Sequence, residues 1–541
     1  MNIFGRTTAL AAAITLCACF AGGCGDQTAK SSADTSLPAE LGPTIGSLVR
    51  VAIPQAVPVE GYGLVVGLKG TGSAECPPRV RTYLERYILR QLPANQKFDV
   101  GSFIAGLDTA VVLVEGTMPE MASKGEYFDV KVTALPGTQT LSLAGGSLLE
   151  TELKVTGQFN VTTRPAADVK GPILVDKIGD SDLDRRTGYI LAGGKVLIGS
   201  NIEMRLGKPN FRLTNAIRNR INGRFGNDVA MAPAPGRIEL AVPAKYGEHK
   251  QRFVAMVRTT FLTQEPALVE QRITALAERL ASSPDKYASE VALEAIGNQC
   301  LGKLGALLQS PDELVRLHAA RCMLNLGGDA GLTALRQIAA DPRSARRLEA
   351  LEAIAFGAKR SDAAAISRRL LRDDDFAIRL AAYENLRKLD DIAIAQEYVG
   401  GNFYMERVAQ TDYKVIYASR SGQPRIVLFG TPIYCHAGIF LQSADNDITL
   451  NAAGGQQYVT IIRKHPKRPG VIMQVKSTFE VGDIIRTLCD EPVQEGEKER
   501  GGLGASYADV IAILKQMCDK GAVEAQFHAG DLPKIGLNVK K

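Results

Sequence analysis

Short β-like runs alternate with glycine- and proline-containing turns over residues 41–265. The runs at 109–116 and 127–133 are rich in β-branched and aromatic residues, which favours strands. Between such runs, apolar residues recur at helical spacing over 79–92 and over 213–225. This part of the chain is therefore predicted to be a mixed α+β region.

The pattern changes at Pro266, where an alanine-, leucine- and arginine-rich helical segment begins and extends to residue 400. A short motif recurs in it around Arg316, Arg347 and Arg379, at intervals of 31 and 32 residues, with turn residues before each copy. Paired helices of this period resemble short HEAT-like repeats, which stack to bury a shared core. An irregular helical bundle is the alternative.

Strand-like runs return over residues 401–541. The segments 412–417, 425–429 and 458–462 are predicted strands. A last amphipathic helix is predicted at 507–520. The predicted fold class is α+β, with mixed domains at both ends of the chain and an all-α HEAT-like insertion between them.

The N-terminal residues 1–24 are typical of a bacterial lipoprotein signal. A short basic start, an alanine-rich apolar run and small residues before Cys24 form a secretory signal. The run is short for a membrane-spanning helix, and an N-terminal anchor or a buried helix is the alternative. The small residues resemble a lipobox, so Cys24 is the predicted lipidation site. Cys19 is the alternative site, because a leucine stands three places before it. Residues 25–40 are polar and predict a flexible tether.

Composition narrows the class of protein further. Hydrophobic residues make up 45% and charged residues 23% of the 541 residues, as in ordinary globular proteins. A net charge of +6 is small for this length and does not indicate a nucleic-acid partner.

Cysteines in the predicted folded body offer a second kind of covalent chemistry. They are Cys76, Cys300, Cys322, Cys435, Cys489 and Cys518. An exported protein can oxidise them, and six cysteines allow fifteen pairings. Cys300 and Cys322 lie in one helical region and are the candidate disulfide. The alternative is that these residues are small buried hydrophobic groups.

Motifs for enzymatic chemistry are incomplete. The glycines of 61–72 resemble part of a dinucleotide fingerprint, but no βαβ unit follows them. Residues 297–303 match part of a phosphate loop, but Leu304 stands where a hydroxyl would bind Mg²⁺. The five histidines do not have zinc-ligand spacing. The chain is therefore predicted not to be an enzyme and to hold no cofactor or metal.

The run GYGLVVGLKGTG at 61–72 resembles the signature near the start of flagellar P-ring proteins. Blocks at 124–135, 143–149 and 503–515 resemble later blocks of that family, in the same order. Arg420-Ser421-Gly422 and His436-Ala437-Gly438 loosely resemble two more. The motif residues assigned a structural role are Gly61, Tyr62, Gly63, Gly67, Gly70, Gly72, Gly125, Gly145, Gly146, Gly504 and Gly521.

The resemblance implies a structural subunit that associates with copies of itself in a periplasmic ring around the rod of the flagellar basal body. It also implies the rod and L-ring proteins as partners, and peptidoglycan is a further candidate. The predicted lipid would anchor the ring to the outer membrane. Two departures from the family are the helical insertion and the lipid. The alternatives are a paralogue in another envelope ring, or a lipid-anchored scaffold that recruits a partner through its repeats outside the flagellum.

Overall fold

The described part of the chain is built from four β-sheets and an array of packed helices. It is known from a computed structural model, which describes residues 37–91, 99–157, 164–179, 184–465, 468–490 and 502–535. The predicted signal, most of the tether and both candidate lipidation cysteines lie outside the described residues. No helix in the described ranges is long and apolar enough to cross a membrane.

The N-terminal region contains ten strands within the described ranges. They are β1 (Val49–Ala52), β2 (Val57–Val66), β3 (Thr109–Met118), β4 (Tyr127–Ala134), β5 (Ser147–Val155), β6 (Ala167–Pro172), β7 (Thr187–Val196), β8 (Ile202–Leu206), β9 (Ala230–Ala234) and β10 (Arg237–Leu240). The helices that accompany them are α1 (Ile45–Leu48), α2 (Pro78–Gln91), α3 (Val100–Ile104), α4 (Phe211–Phe225) and α5 (Lys250–Thr259). The strands predicted at 109–116 and 127–133 and both predicted helices are confirmed.

A closed barrel forms the centre of this region, with strand order β2-β3-β4-β7-β6-β5. Buried and less buried residues alternate along β4, because successive side chains point into and out of the barrel. The interior is filled by aliphatic residues such as Val65, Val112, Val132 and Leu153. A separate antiparallel sheet, β1-β8-β10-β9, is covered by α4 and α5.

The insertion is an array of antiparallel helices, as the HEAT-like pattern predicts. Its helices are α6 (Pro266–Ser282), α7 (Tyr287–Ile296), α8 (Leu301–Leu307), α9 (Glu313–Asn325), α10 (Asp329–Ala340), α11 (Arg347–Gly357), α12 (Arg360–Leu370) and α13 (Phe376–Lys388). The helical segment ends before residue 400, because Ile394–Val399 forms strand β11 and pairs with the strand that follows it.

The recurring arginine marks the repeat at two of its three positions. Arg316 and Arg379 each donate from Nη1 to the carbonyls five and six residues earlier, at 2.7–3.0 Å, and so fix the turn before their helix. Arg347 instead begins its helix, donates to the carbonyl of Ala339 at 3.0 Å and pairs with Asp373. The middle copy is therefore offset from the register that the sequence motif predicts.

The C-terminal region forms two further sheets. Its strands are β11 (Ile394–Val399), β12 (Phe403–Val408), β13 (Val415–Ala418), β14 (Arg425–Phe429), β15 (Ile439–Gln442), β16 (Ile448–Ala452), β17 (Val459–His465), β18 (Arg468–Ser477) and β19 (Gln526–Ala529). The first sheet has the order β11-β12-β14-β13-β19, and the second is β15-β16-β17-β18. Helices α14 (Val481–Cys489) and α15 (Tyr507–Asp519) pack in the core that these sheets share. The predicted last helix and the α+β class are confirmed.

A buried ion-pair network fastens the insertion to the N-terminal region. Glu290 on α7 has a fully buried side chain, and it accepts from Arg252 on α5 and from Arg321 and His318 on α9. Burial acts to raise the pKa of Glu290, but Arg252 and Arg321 hold that pKa well below its usual range. Arg252 also pairs with Glu294, so the network joins three helices from two regions.

We expect Glu290→Gln to lower the free energy of unfolding by about 3–5 kcal/mol, because it leaves buried guanidinium groups with incomplete charge compensation. Chemical denaturation followed by circular dichroism measures the change. Glu278→Gln is the matched control, since Glu278 is an exposed glutamate on α6 and should change stability by less than about 0.5 kcal/mol. Equal stabilities of the two variants would contradict the role given to the network.

Candidate functional site

The motif glycines of β2 lie where the barrel closes. β2 pairs with β3 on one side and with β5 on the other, with an irregularity in the β5 register between Glu60 and Val65. A Cβ on Gly61 would lie 2.4 Å from the carbonyl oxygen of Glu152, and one on Gly63 would lie 2.6 Å from Thr151 Oγ1. Both glycines are therefore required by the close approach of two strands within one chain.

The rest of the signature folds back on the start of β3. Gly70 has a φ of +84°, and its N–H donates to Asp108 Oδ1 at 2.7 Å. The N–H of Gly72 donates to the carbonyl of Leu107 at 2.8 Å, and a Cβ on Gly72 would lie 2.1 Å from the carbonyl oxygen of Thr109. The signature therefore closes the barrel and fixes the turn that leaves it.

The other motif positions are also turns or close contacts. Gly146 packs against Val65 and Leu68 with no room for a side chain. Tyr62 lies on the outer side of β2, among the residues that contact α2 and α3. The motif glycines with a positive φ, in addition to Gly70, are Gly67, Gly125, Gly145, Gly504 and Gly521.

A polar junction joins the barrel to the C-terminal sheets. Lys177, which follows β6, lies 2.6 Å from Asp509 and 2.9 Å from Asp445. Asp509 also forms the capping box of α15 with Ser506. Burial lowers the pKa of Lys177, but the two carboxylates outweigh burial and raise it. Burial likewise opposes ionisation of Asp445, and hydrogen bonds from Lys177 and Ser443 lower its pKa to about 2.

The block at residues 420–422 takes part in the same junction. Arg420 Nη1 lies 3.0 Å from Asp176 Oδ2, and Arg420 Nε donates to the carbonyl of Gly530 at 2.6 Å. The N–H of Gly422 donates to both carboxylate oxygens of Asp129 on β4, at 2.9 and 3.0 Å. The N-terminal barrel and the C-terminal sheets are therefore in direct contact, although the insertion separates them in sequence.

Several junction residues could not be predicted from the sequence. Asp129 falls inside a motif block but carries no sign of its partner, and Asp176 and Lys177 belong to no motif. Their partners lie more than 240 residues away in the chain. The one weak indication of the junction in the sequence is the Arg-Ser-Gly block at 420–422.

The candidate disulfide cysteines are brought together in the core of the helical array. Cys300 and Cys322 are fully buried free thiols. Burial raises the pKa of Cys322 well above its usual range, and a hydrogen bond with Cys300 raises it further. Contact between the two thiols fits the proposed pairing, which stays a prediction. In the described ranges, no group of three histidine, cysteine or acidic side chains is arranged to hold a metal ion.

Comparison with known proteins bears on the barrel and its neighbouring sheet. Residues 44–270 match the family model of the flagellar P-ring protein. This part of the chain is P-ring-like. Residues 273–355 match HEAT repeats, so the expected family resemblance and the inserted repeats are both confirmed. The family match ends at residue 270, and the resemblance of the blocks at 420–422, 436–438 and 503–515 therefore stays a prediction.

Individual relatives point the same way. Flagellar P-ring protein 1 of Photobacterium profundum is 30% identical over 221 residues, which are 38% of this chain and 56% of the relative. The flagellar P-ring protein of Geotalea uraniireducens is 28% identical over 258 residues, covering 45% and 62%. That of Sodalis glossinidius is 31% identical over 221 residues, covering 38% and 58%. The chain thus spans 56–62% of the length of these relatives.

We expect Gly72→Ala to destabilise the protein by about 2–3 kcal/mol, because its methyl group would overlap the carbonyl of Thr109. Gly223→Ala is the matched control. Gly223 lies within α4, and no atom lies within 4 Å of the position that an added methyl group would take, so the substitution should be neutral or stabilising by about 0.5–1 kcal/mol. The unfolding temperatures of both variants, compared with that of the wild type, measure these changes in stability. A Gly72→Ala protein as stable as wild type would contradict the packing role of the signature.

We also expect Cys300 and Cys322 to form a disulfide when the protein is isolated from its own envelope. Non-reducing peptide mapping by mass spectrometry measures this directly. The control is the same digest of protein in which thiols were alkylated after reduction. Recovery of both peptides alkylated without prior reduction would contradict the pairing.

Proposed function

We propose that this chain is a structural subunit of a ring that surrounds the flagellar rod in the periplasm. The match of residues 44–270 to flagellar P-ring proteins is the observation that carries the proposal. The junction of Lys177, Arg420 and Asp509 supports it further, because it holds the barrel and the C-terminal sheets as one body. A ring around a rotating rod needs subunits that keep their shape under load.

The role we propose is mechanical and not enzymatic. Copies of the subunit associate side by side, and the ring acts as a passive bushing. The rod and the L-ring are its proposed protein partners, with peptidoglycan as a further contact. The alternative of a partner-recruiting scaffold outside the flagellum gains no support from the relatives, which carry the name of flagellar P-ring proteins.

The lipid at Cys24 is the second part of the proposal. A diacylglyceryl group on this cysteine would hold the ring at the outer membrane, and residues 25–40 would connect the lipid to the folded body. A single acyl chain gives only weak membrane binding, whereas several chains on one cysteine give stable anchoring.

Deletion of the gene in its own host should abolish swimming, because the rod would then turn without its ring. Swimming in soft agar and electron microscopy of isolated basal bodies measure the two effects. Complementation with the wild-type gene should restore both, which controls for effects on neighbouring genes. Normal swimming with complete basal bodies in the deletion strain would contradict the flagellar role.

We expect Cys24→Ser to move the protein from the membrane fraction to the soluble periplasmic fraction and to remove metabolic labelling by palmitate. Cys19→Ser is the matched control and should leave both unchanged. The reverse pattern would assign the lipid to Cys19. If both single variants kept the palmitate label, neither cysteine would be the lipidation site.

A further inference from the structure

A cleft of about 620 Å³ lies where the N-terminal region meets the helical array. The loop that follows β3 provides one wall, with Glu120 and Glu126. Helix α11 provides another wall, with Glu352 and Phe356. The start of α5, which lies between these two segments in sequence, also lines the cleft. Its size and its place between domains are typical of binding sites. The cleft exists only because the helical insertion packs against the P-ring-like region.

The cations of this cleft are already neutralised. Lys250 Nζ lies 2.7 Å from Glu126. Arg252 and Arg321 both pair with the buried Glu290. None of these groups is therefore available to attract an anionic partner.

Two carboxylates of the cleft have no cationic partner among the described residues. Glu120 accepts only from the neutral side-chain amide of Gln251, at 2.9 Å. Glu352 is exposed and makes no ion pair or hydrogen bond within the described ranges. Burial lowers the pKa of His249, which also lines the cleft, so its ring adds no positive charge near neutral pH. The cleft therefore suits a basic partner.

Helix α2 presents such a basic surface. Three arginines on one face of the helix are exposed: Arg79, Arg86 two turns after it and Arg90 three turns after it. None of the three has a carboxylate partner within the described part of the chain. Leu84, on the opposite face, is buried against the barrel. Leu89 beside the arginines is 56% exposed, so this face combines positive charge with apolar area.

These two surfaces lie on different elements of one subunit. The chain enters α2 shortly after Ser73, whose N–H donates to Thr109 at the start of β3. The cleft includes Glu120 and Met121, which follow the end of that strand. Because Leu84 fixes α2 to its own barrel, the helix cannot fill the cleft of its own chain.

We propose that the arginine face of α2 in one subunit docks in the cleft of the next subunit. A basic surface and a separate acidic surface on one body make a heterologous contact, which repeats from copy to copy and closes into a ring when the rotation allows. This contact presupposes the ring of the proposed function. It gives the helical insertion a specific task, which is to complete the acceptor surface for the neighbouring subunit.

Charge reversal tests the contact in the full-length chain. The helix variant carries R79E, R86E and R90E, and the cleft variant carries E120R and E352R. Each should lower the fraction of detergent-extracted protein found in rings by at least about tenfold, as counted by negative-stain microscopy. Combining all five substitutions should restore that fraction to within about threefold of wild type, because the charges again complement each other.

The control variant carries E278R and R336E, which reverse exposed charges elsewhere on the helical array and should leave ring formation unchanged. Unfolding temperatures of all variants should stay close to wild type, since the substituted side chains are exposed, apart from the half-buried Glu120. Rings that persist in the helix or the cleft variant would overturn this contact and leave the proposed ring function standing. Loss of rings in the cleft variant alone would mean that another basic partner occupies the cleft, which also overturns it. Absence of rings from the wild-type protein would remove the proposed function itself.

Discussion

Closure of the barrel depends on a backbone approach that only glycine permits. At Gly61 a single added carbon would lie 2.4 Å from the carbonyl oxygen of Glu152, well inside any tolerated contact. Because β2 pairs on both sides, its position sets those of β3 and β5, and through them the remaining strands. The junction side chains inherit their places from this arrangement: Asp129 lies on β4, and Asp176 follows β6. A failure at the signature would therefore disturb the contact with the C-terminal sheets as well as the barrel.

The helical insertion is held as part of the same body by a buried carboxylate at each end. Glu290 binds α5 to α7 and α9. At the other end Glu406 on β12 is fully buried and accepts from Arg387 and Tyr383 on α13. A buried charge is tolerated only where its partners are fixed, so each of these glutamates specifies one arrangement of the elements around it. The insertion is consequently anchored to its neighbours at both of its ends.

Periodicity was enough to predict the class of the fold and several of its helices and strands, because amphipathic helices and alternating strands bury their apolar faces locally. It failed where a long-range partner decides the structure. Strand β11 follows the last helix of the insertion and depends on pairing with Phe403–Val408. Arg347 departs from its repeat position, since Asp373 offers it a partner that the motif does not contain. The junction was even less accessible, because the groups that Arg420 and Gly422 bind could be found only from the folded chain. Charge pairs between distant segments produce no regular spacing in the sequence, so no pattern predicts them. A close approach between two strands depends on both strands together, so neither strand's sequence predicts it alone.

The start of the described chain sets a limit on where a lipid at Cys24 could place the protein. Leu37 and Leu41 pack on the core of the helical array, and Arg272 on α6 donates to the carbonyl of Leu41 at 2.7 Å. The thirteen residue-to-residue steps from Cys24 to Leu37 can span at most about 45 Å, the contour limit of an extended chain. If the lipid sits in the outer membrane, the helical insertion must therefore lie within that distance of it. The insertion would then lie within reach of the membrane and would also complete the cleft.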